Sequence, residues 1–395
     1  MVISKKAQTI SRSQTLAISA TAKQMKENGI SVIAFTAGEP DCDTPKYIVD
    51  AAKKALDEGK TKYTPSSGTN SLRKAIASKL EKENGLKYDF KQIIVSNGAK
   101  HSLYNALYAI INDGDEVIIP APYWLTYPEL VKMCGGVPVI VDTDEKHGFK
   151  MTATQLEKAI TPKTKAVIIN SPSNPSGAVY SKEELFALAK VIEKTEIIVI
   201  SDEIYEKMTY DGVEQISIAT YSEKIKNQTI VVNGLSKTYA MTGWRVGYLA
   251  CNAEIADVID RVQSHMTSNP NSIAQEASLV ALTRTDDVER IVKIYDERRK
   301  YFVERINAID GLKAFTPQGS FYLFVKVSDV YGKKYKGEVI NSSLEFCAKL
   351  LDGGVSCIPG SPFGNDEYIR LSFAVSMDDI IEGSNRIEKF VKSLD

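Results

Sequence analysis

The chain has 395 residues, with 49 Lys and Arg against 50 Asp and Glu, so its formal net charge is −1. This balance excludes the strongly basic surface of a general nucleic-acid binder, and 43% hydrophobic with 25% charged residues is typical of a soluble globular protein of two to three domains. No stretch reaches the ~18 consecutive apolar residues that a membrane helix needs, and the N-terminus lacks the apolar core of a signal peptide. Five scattered cysteines without CxxC spacing and three isolated histidines predict a cytoplasmic protein without disulfides or a metal site.

Helical and strand-like segments alternate over residues 46–283, which is the pattern of a large α/β domain with a mostly parallel sheet. Five short apolar runs predict its buried strands: 93–95, 116–119, 166–169, 197–200 and 229–232. Residues 100–111 carry apolar side chains at i, i+3, i+4, i+7 and i+8, so they predict a helix with one buried face. Beyond residue 284, helices over 286–308 and 378–393 enclose short strand-like runs. We expect residues 1–45 and 284–395 to form a smaller α+β domain.

A polar loop follows each of the five predicted strands. Because ligands bind at the carboxyl ends of the strands in open α/β sheets, we expect the loops to converge on one edge. Their distinctive side chains are Trp124, Asn174, Asp202, Tyr205, Lys237 and Arg245. Singly, each has an ordinary explanation, such as a helix cap for Asp202 or a solvated surface position for Lys237. Their occurrence at the same end of successive strands favours one shared site.

The chemistry of these groups indicates one kind of ligand. A lysine amine can form a Schiff base with an aldehyde, and a buried carboxylate such as Asp202 can keep a pyridine nitrogen protonated. The ring of Trp124 can stack on the pyridine face. The helix that begins after Gly98 and Ala99 offers free N–H groups and a positive dipole end to a phosphate, with Arg245 as a bidentate partner. These features predict a site for pyridoxal 5′-phosphate.

The motifs around these residues resemble the class I and II aminotransferases of fold type I, and the resemblance covers essentially the whole chain. Its strongest mark is SKTYAMTGWRVGY, residues 236–248. The family's other motifs occur in order: TAGEPD (36–41), YTPSSGTNSLRKA (63–75), PYWLTYP (122–128), NSPSNPSG (170–177), SDEIY (201–205) and QGSFY (318–322). The resemblance implies a mixed, mostly parallel seven-stranded sheet flanked by helices.

The resemblance also implies a role for each cofactor-binding residue. Lys237 is expected to form the Schiff base and to move protons, Asp202 to pair with the pyridine nitrogen, and Trp124 to stack on the ring. Tyr205 and Asn174 are expected to bind the ring oxygen. The expected contacts to the phosphate are Gly98, Ala99, Arg245 and, from the neighbouring subunit of a homodimer with shared active sites, Tyr63.

Substrate binding is likewise implied by resemblance. Arg370 matches the arginine that binds the substrate α-carboxylate, and the alternating apolar residues of 368–373 put it on the polar face of a strand. Gly38 matches the glycine whose backbone approaches that carboxylate, beside the tryptophan and asparagine named above. Lys100 and Thr15 resemble residues of the bacterial aspartate aminotransferase subgroup, where the lysine meets the distal carboxylate. A cation is not favoured at a helix N-terminus, so Lys100 suggests a functional role.

The expected reaction is therefore amino transfer between L-aspartate and 2-oxoglutarate. Prephenate, glutamate or aromatic substrates remain alternatives, as does a pyridoxal-phosphate-dependent carbon–sulfur lyase, which would leave Lys100 unexplained. Many family members carry a serine where Gly234 stands, so a phosphate contact from Ser236 is left open. A dehydrogenase is excluded because no GxGxxG occurs, and a P-loop because Lys54 occupies its first glycine position. A transcriptional regulator with an aminotransferase-like domain would need an added DNA-binding domain, for which the 395 residues leave no room.

Overall fold

The structure is a computed structural model that describes residues 3–12, 14–284 and 286–395, without the side chains at positions 6, 14–17, 19 and 26. Its helices are α1 Lys5–Gln8, α2 Gln14–Glu27, α3 Lys46–Asp57, α4 Asn70–Asn84, α5 Ala99–Ile110, α6 Thr126–Met133, α7 Ala153–Ala159, α8 Lys182–Ile192, α9 Glu223–Asn227, α10 Ala253–Met266, α11 Ser272–Ala281, α12 Asp286–Asn307, α13 Ser343–Asp352 and α14 Met377–Lys392. Its strands are β1 Ile33–Ala34, β2 Ile93–Ser96, β3 Glu116–Ala121, β4 Val137–Asp142, β5 Thr164–Asn170, β6 Ile198–Asp202, β7 Thr229–Gly234, β8 Gly247–Ala250, β9 Lys313–Phe315, β10 Tyr322–Lys326, β11 Lys334–Tyr335, β12 Glu338–Val339, β13 Val355–Ser356, β14 Ile358–Pro359 and β15 Tyr368–Ser372.

Seven strands form the large sheet, in the order β2-β8-β7-β6-β5-β3-β4. β8 runs antiparallel to β2 and β7, and the remaining neighbours are parallel. The mixed, mostly parallel seven-stranded sheet is therefore confirmed. β2, β3, β5, β6 and β7 correspond to the five predicted strands, whereas β4 and β8 had no prediction.

Helices cover both faces of this sheet because its central strands are apolar on both sides. In β5, the side chains of Ala166 and Ile168 face α5, α6 and α10, whereas those of Val167 and Ile169 face α7 and α8. This alternation follows from the two-residue repeat of a strand. Burial on both faces explains why the strands read as continuous apolar runs.

A second sheet of four antiparallel strands, in the order β14-β15-β10-β9, carries the C-terminal part of the fold. In this sheet Arg370 lies opposite Phe324 on one side and Ile358 on the other. β1 pairs in parallel with β13, and the ring of Phe35 packs 4.9 Å from that of Phe302 in α12. The N-terminal strand therefore shares a core with α12, α13 and α14. α12 and α14 confirm the two predicted helices.

The structure can be compared with the expectations about membrane helices, disulfides and metal sites that the composition gave. Within the described ranges, no helix has both the length and the apolar character needed to cross a membrane. None of the five cysteines forms a disulfide. The same ranges hold no group of three or more His, Cys, Asp or Glu side chains placed to bind a metal ion.

Candidate active site

One cavity of about 390 Å³ opens at the carboxyl ends of the strands that precede the polar loops. Its wall includes ten of the predicted site residues: Gly38, Ala99, Lys100, Trp124, Asn174, Asp202, Tyr205, Lys237, Arg245 and Arg370. Gly98 adjoins the wall as the N-cap residue of α5. The convergence of successive loops on one sheet edge therefore brings these side chains together.

The amine of Lys237 lies in the loop that follows β7. Its Nζ donates a hydrogen bond to the carbonyl oxygen of Gly38 at 2.5 Å. Burial lowers the pKa of Lys237 to about 8; the carboxylate of Glu39 opposes this shift and the guanidinium of Arg370 adds to it. A substantial neutral fraction near pH 8 makes this amine competent as a nucleophile or a general base.

Asp202 is the last residue of β6 and is 3% exposed. The phenol of Tyr127 donates to its Oδ2 at 2.7 Å, and the backbone N–H of Ile204 donates to its Oδ1 at 3.2 Å. Burial raises the pKa of Asp202 to about 6, whereas these two hydrogen bonds lower it. Above that pH the carboxylate suits a cationic group in the cavity.

A cradle for an anion forms where α5 begins. Gly98, at φ +85°, caps the helix without a side-chain hydrogen bond, and a Cβ there would collide with the guanidinium of Arg245. Arg245 donates to the carbonyl oxygens of Thr242 at 2.9 Å and Asn97 at 3.4 Å. A helix N-terminus beside a guanidinium is a favourable site for a phosphate.

Arg370 is 3% exposed and holds a buried positive charge. It donates to Oδ1 of Asn174 at 3.0 Å and to the carbonyl oxygen of Thr36 at 3.2 Å, while its Nε has no partner among the described residues. Among the described residues no carboxylate acts on the pKa of Arg370, which burial lowers. Because an unpaired buried charge is costly, this guanidinium is suited to a ligand carboxylate.

Aromatic side chains complete the wall. The Nζ of Lys100 lies 4.9 Å from the ring centroid of Trp124, and burial lowers the pKa of Lys100, with a further contribution from Arg245. The hydroxyls of Tyr205 and Tyr322 lie 3.0 Å apart. The cavity thus combines cationic, phenolic and indole groups around Lys237.

One predicted residue does not join the cavity, and the prediction for another falls on a side chain that the structure does not describe. Tyr63 is 91% exposed and lies outside its wall. Thr15 belongs to α2, but its side chain is not among the described ones. Ser236, whose role was left open, is buried and lines the cavity.

The cavity wall also contains residues to which no role had been given. They are Thr36, Leu103, Tyr127, Asn170, Ile204, Thr242 and Tyr322. Tyr127 and Tyr322 stand inside PYWLTYP and QGSFY, so a closer examination of the polar positions in those motifs could have identified them. Thr36 and Asn170 similarly begin TAGEPD and NSPSNPSG.

The fold is an α/β fold, and the groups in its cavity suit a small ligand that carries several negative charges and a group able to react with an amine. Residues 30–387 match the model of the family described as aminotransferase class I and II. The chain belongs to that family.

Individual relatives agree with this assignment. The chain is 48% identical to an aspartate aminotransferase of Bacillus sp. (strain YM-2), over 99% of both chains. It is 43% identical to an aspartate/prephenate aminotransferase of Nitrosomonas europaea, over 98% of this chain and 99% of the relative. Among solved structures, the aspartate aminotransferase from Rhizobium meliloti is similar with a TM-score of 0.97 and 42% identity, over 100% of both chains.

Proposed function

We propose that this aminotransferase moves the amino group of L-aspartate to 2-oxoglutarate, giving oxaloacetate and L-glutamate, with pyridoxal 5′-phosphate as its cofactor. The observation that carries the proposal is the amine of Lys237 in one cavity with a buried carboxyl group, Asp202, and two guanidinium groups, Arg245 and Arg370, that have no carboxylate partner among the described residues. The names of the relatives described above support the same reaction.

The residues present fit this cofactor. Because Gly98 has no Cβ, the guanidinium of Arg245 can lie against the start of α5, and this cation with the helix N-terminus at Ala99 suits the phosphate. The buried Asp202 suits a protonated ring nitrogen, and Lys237 suits its aldehyde. When bound, pyridoxal 5′-phosphate supplies an electron sink that stabilises negative charge at the substrate Cα.

The chain's own residues bind, orient and move protons around this group. Lys237, with a pKa of about 8, would take the proton from the substrate Cα and deliver it to the cofactor carbon that carried the aldehyde. Asp202, ionised above about pH 6, holds a proton on the ring nitrogen. Trp124 would cover one ring face and keep water from it. Tyr205 and Asn174 would hydrogen-bond the ring oxygen.

Substrate recognition uses the remaining cations. Arg370 pairs with the α-carboxylate, which is common to every amino acid, and the backbone of Gly38 lies nearby. Lys100 pairs with the distal carboxylate of a dicarboxylic substrate, and Thr15 is assigned to substrate binding by its resemblance alone. The name of the Nitrosomonas europaea relative makes prephenate a second candidate substrate, since prephenate also carries two carboxylates.

We further propose that the active form is a homodimer in which Tyr63 extends into the phosphate site of the second subunit. Two observations support this arrangement. Tyr63 is 91% exposed although it is a large aromatic residue. A surface cleft of about 650 Å³, lined in part by Trp244 and Asn271, lies beside Arg245 and would admit a side chain from outside.

Two organisational proposals accompany this function. Residues 46–283 constitute a large domain that holds the cofactor, and residues 1–45 with 284–395 constitute a small domain; the shared core of Phe35 with α12 and α14 supports this division. A cytoplasmic location is supported by five cysteines that form no disulfide.

The experiment that tests this function incubates the purified protein with aspartate and 2-oxoglutarate and measures oxaloacetate and glutamate together. Equal amounts of the two products are expected. Parallel reactions replace aspartate by alanine, or 2-oxoglutarate by prephenate, to define the range of substrates. Release of ammonia without formation of glutamate would indicate a lyase and contradict the proposal.

A further inference from the structure

The side chain of Gln263 is buried in α10, a helix that contributes no residue to the cavity wall. Its Nε2 donates to the carbonyl oxygens of Ser66 at 2.7 Å and Val95 at 2.8 Å. Its Oε1 accepts from Oγ of Ser96 at 2.7 Å and from Nδ2 of Asn105 at 2.9 Å. Both donor hydrogens and both lone pairs of the amide are therefore used.

Three of these contacts fix the cradle at the start of α5. Val95 and Ser96 end β2 immediately before the loop that leads to Gly98, and Asn105 lies in α5 itself. Because one oxygen of Gln263 accepts from both the strand end and the helix, the amide sets the position of the helix relative to the loop. The direction of the first N–H groups of α5 depends on that relationship.

The fourth contact reaches the loop that carries Tyr63, since Ser66 stands three residues beyond that tyrosine. A second buried glutamine, Gln275 in α11, holds the same loop: its Nε2 donates to Oγ1 of Thr64 at 3.1 Å and its Oε1 accepts from the backbone N–H of Thr69 at 2.7 Å. Gln275 makes no contact with the cradle in the described part of the chain. Gln263 therefore holds both the cradle and the loop of Tyr63, whereas Gln275 holds only the loop.

We propose that Gln263 is a positioning residue for the site of the cofactor phosphate. It fixes the start of α5 and, through Ser66, the loop of Tyr63. This inference rests on the proposed function. Gln263 touches neither the cofactor site nor the reacting atoms, so its effect acts through Ser96, Asn105 and the backbone. Its specific consequence is that the phosphate of the ligand contributes less to binding when the amide is removed.

The test titrates the full-length protein, freed of cofactor, with pyridoxal 5′-phosphate and with pyridoxal, and follows binding by absorbance. The ratio of the two Kd values measures what the phosphate contributes. In Gln263→Met, which keeps the side-chain length, the ratio should fall roughly tenfold because the cradle's charge-assisted hydrogen bonds lose alignment. The Kd of pyridoxal should change less than about twofold, since pyridoxal carries no phosphate.

Gln275→Met is the matched control. It should lower the ratio only while Tyr63 is present and should have no effect in a Tyr63→Phe background, whereas Gln263→Met should lower the ratio in both backgrounds. If Gln263→Met does not fold, Ser96→Ala removes one of its four partners and should lower the ratio in the same direction.

An unchanged ratio in Gln263→Met and Ser96→Ala would overturn the inference. So would an equal loss of affinity for both ligands, which indicates a general structural role, or an effect that vanishes with Tyr63→Phe. A wild-type protein that binds pyridoxal 5′-phosphate no more tightly than pyridoxal would instead contradict the proposed function.

Discussion

The phenol of Tyr127 donates a hydrogen bond to Oδ2 of Asp202 at 2.7 Å, and both side chains are buried. Burial raises the pKa of Asp202 to about 6, and this hydrogen bond is the largest contribution in the opposite direction. The phenol thus helps to keep the carboxylate ionised where the surroundings favour its neutral form. Together with the charge of Lys237, this hydrogen bond accounts for how a buried carboxylate can act as an anion near neutral pH.

Tyr127→Phe should raise the pKa of Asp202, because the carboxylate loses a donor that stabilises its charged form. The acid limb of the profile of kcat/KM against pH should move upward by about one pH unit. Tyr180→Phe is the control, since Tyr180 accepts a hydrogen bond from the N–H of Met151 in a separate core and does not line the cavity. An acid limb that stays in place in Tyr127→Phe would show that the phenol does not set the charge of Asp202.

Asp202→Asn should fold but lose most of its activity, because an amide does not hold a proton on the ring nitrogen. A cofactor methylated at that nitrogen is permanently cationic and should restore part of the activity in the variant. The measurement compares kcat for both cofactors in wild type and variant. Equal activity with the two cofactors in Asp202→Asn would mean that Asp202 has only a structural role.

Lys100→Ala should discriminate between substrates. A charge-assisted hydrogen bond to a distal carboxylate contributes roughly 1.5–3 kcal/mol, so kcat/KM for aspartate should fall on the order of 10- to 100-fold. Alanine should be hardly affected, because it has no second carboxylate. Both substrates are measured with the wild type and the variant.

Arg370→Ala is the comparison for that experiment and should impair aspartate and alanine alike, since both carry the α-carboxylate. If Lys100→Ala instead slowed both substrates equally, Lys100 would act on the cofactor or on α5. The dicarboxylate assignment would then lose its main support.

Lys237 should reduce the stability of the cofactor-free protein at neutral pH. Its folded pKa, about 8, lies below the usual 10.5, so between these values the unfolded chain binds more protons and stability rises with pH. Lys237→Met should therefore raise Tm at pH 7, by roughly 1–3 °C, and this advantage should shrink as the pH rises from 8 to 10.5. Thermal unfolding of both proteins across that range measures it, and a constant difference would contradict the lowered pKa.

The sequence predicted the central strands well because their apolar runs are buried on both faces. β4 escaped prediction because it is an edge strand: Val137 and Ile140 are 47% and 40% exposed, and Pro138 interrupts the run. β8 is only four residues long and begins two positions after Arg245, so its residues resembled a continuation of the loop. Its antiparallel direction is a property of the chain path that local pattern does not contain.

The site was predictable where a residue type implies its chemistry, as with Lys237 and Asp202. Roles that depend on distance were not predictable. Tyr127 and Asp202 are 75 positions apart and Gln263 and Ser96 are 167 positions apart, so only the folded chain brings each pair into contact. The role of Tyr63 was suggested by the sequence, but a single folded chain cannot test it because that role requires a second subunit.

The most direct test of the account is reduction of the purified, cofactor-loaded protein with borohydride, followed by peptide mapping. The account predicts a stable pyridoxyl group on the peptide that contains Lys237, because its amine has a lowered pKa and lies in the cavity with Asp202 and Arg370. Lys237→Ala should remove the label and lower turnover by orders of magnitude. A pyridoxyl group on any other lysine, with Lys237 unmodified, would contradict the assignment of this cavity as the active site.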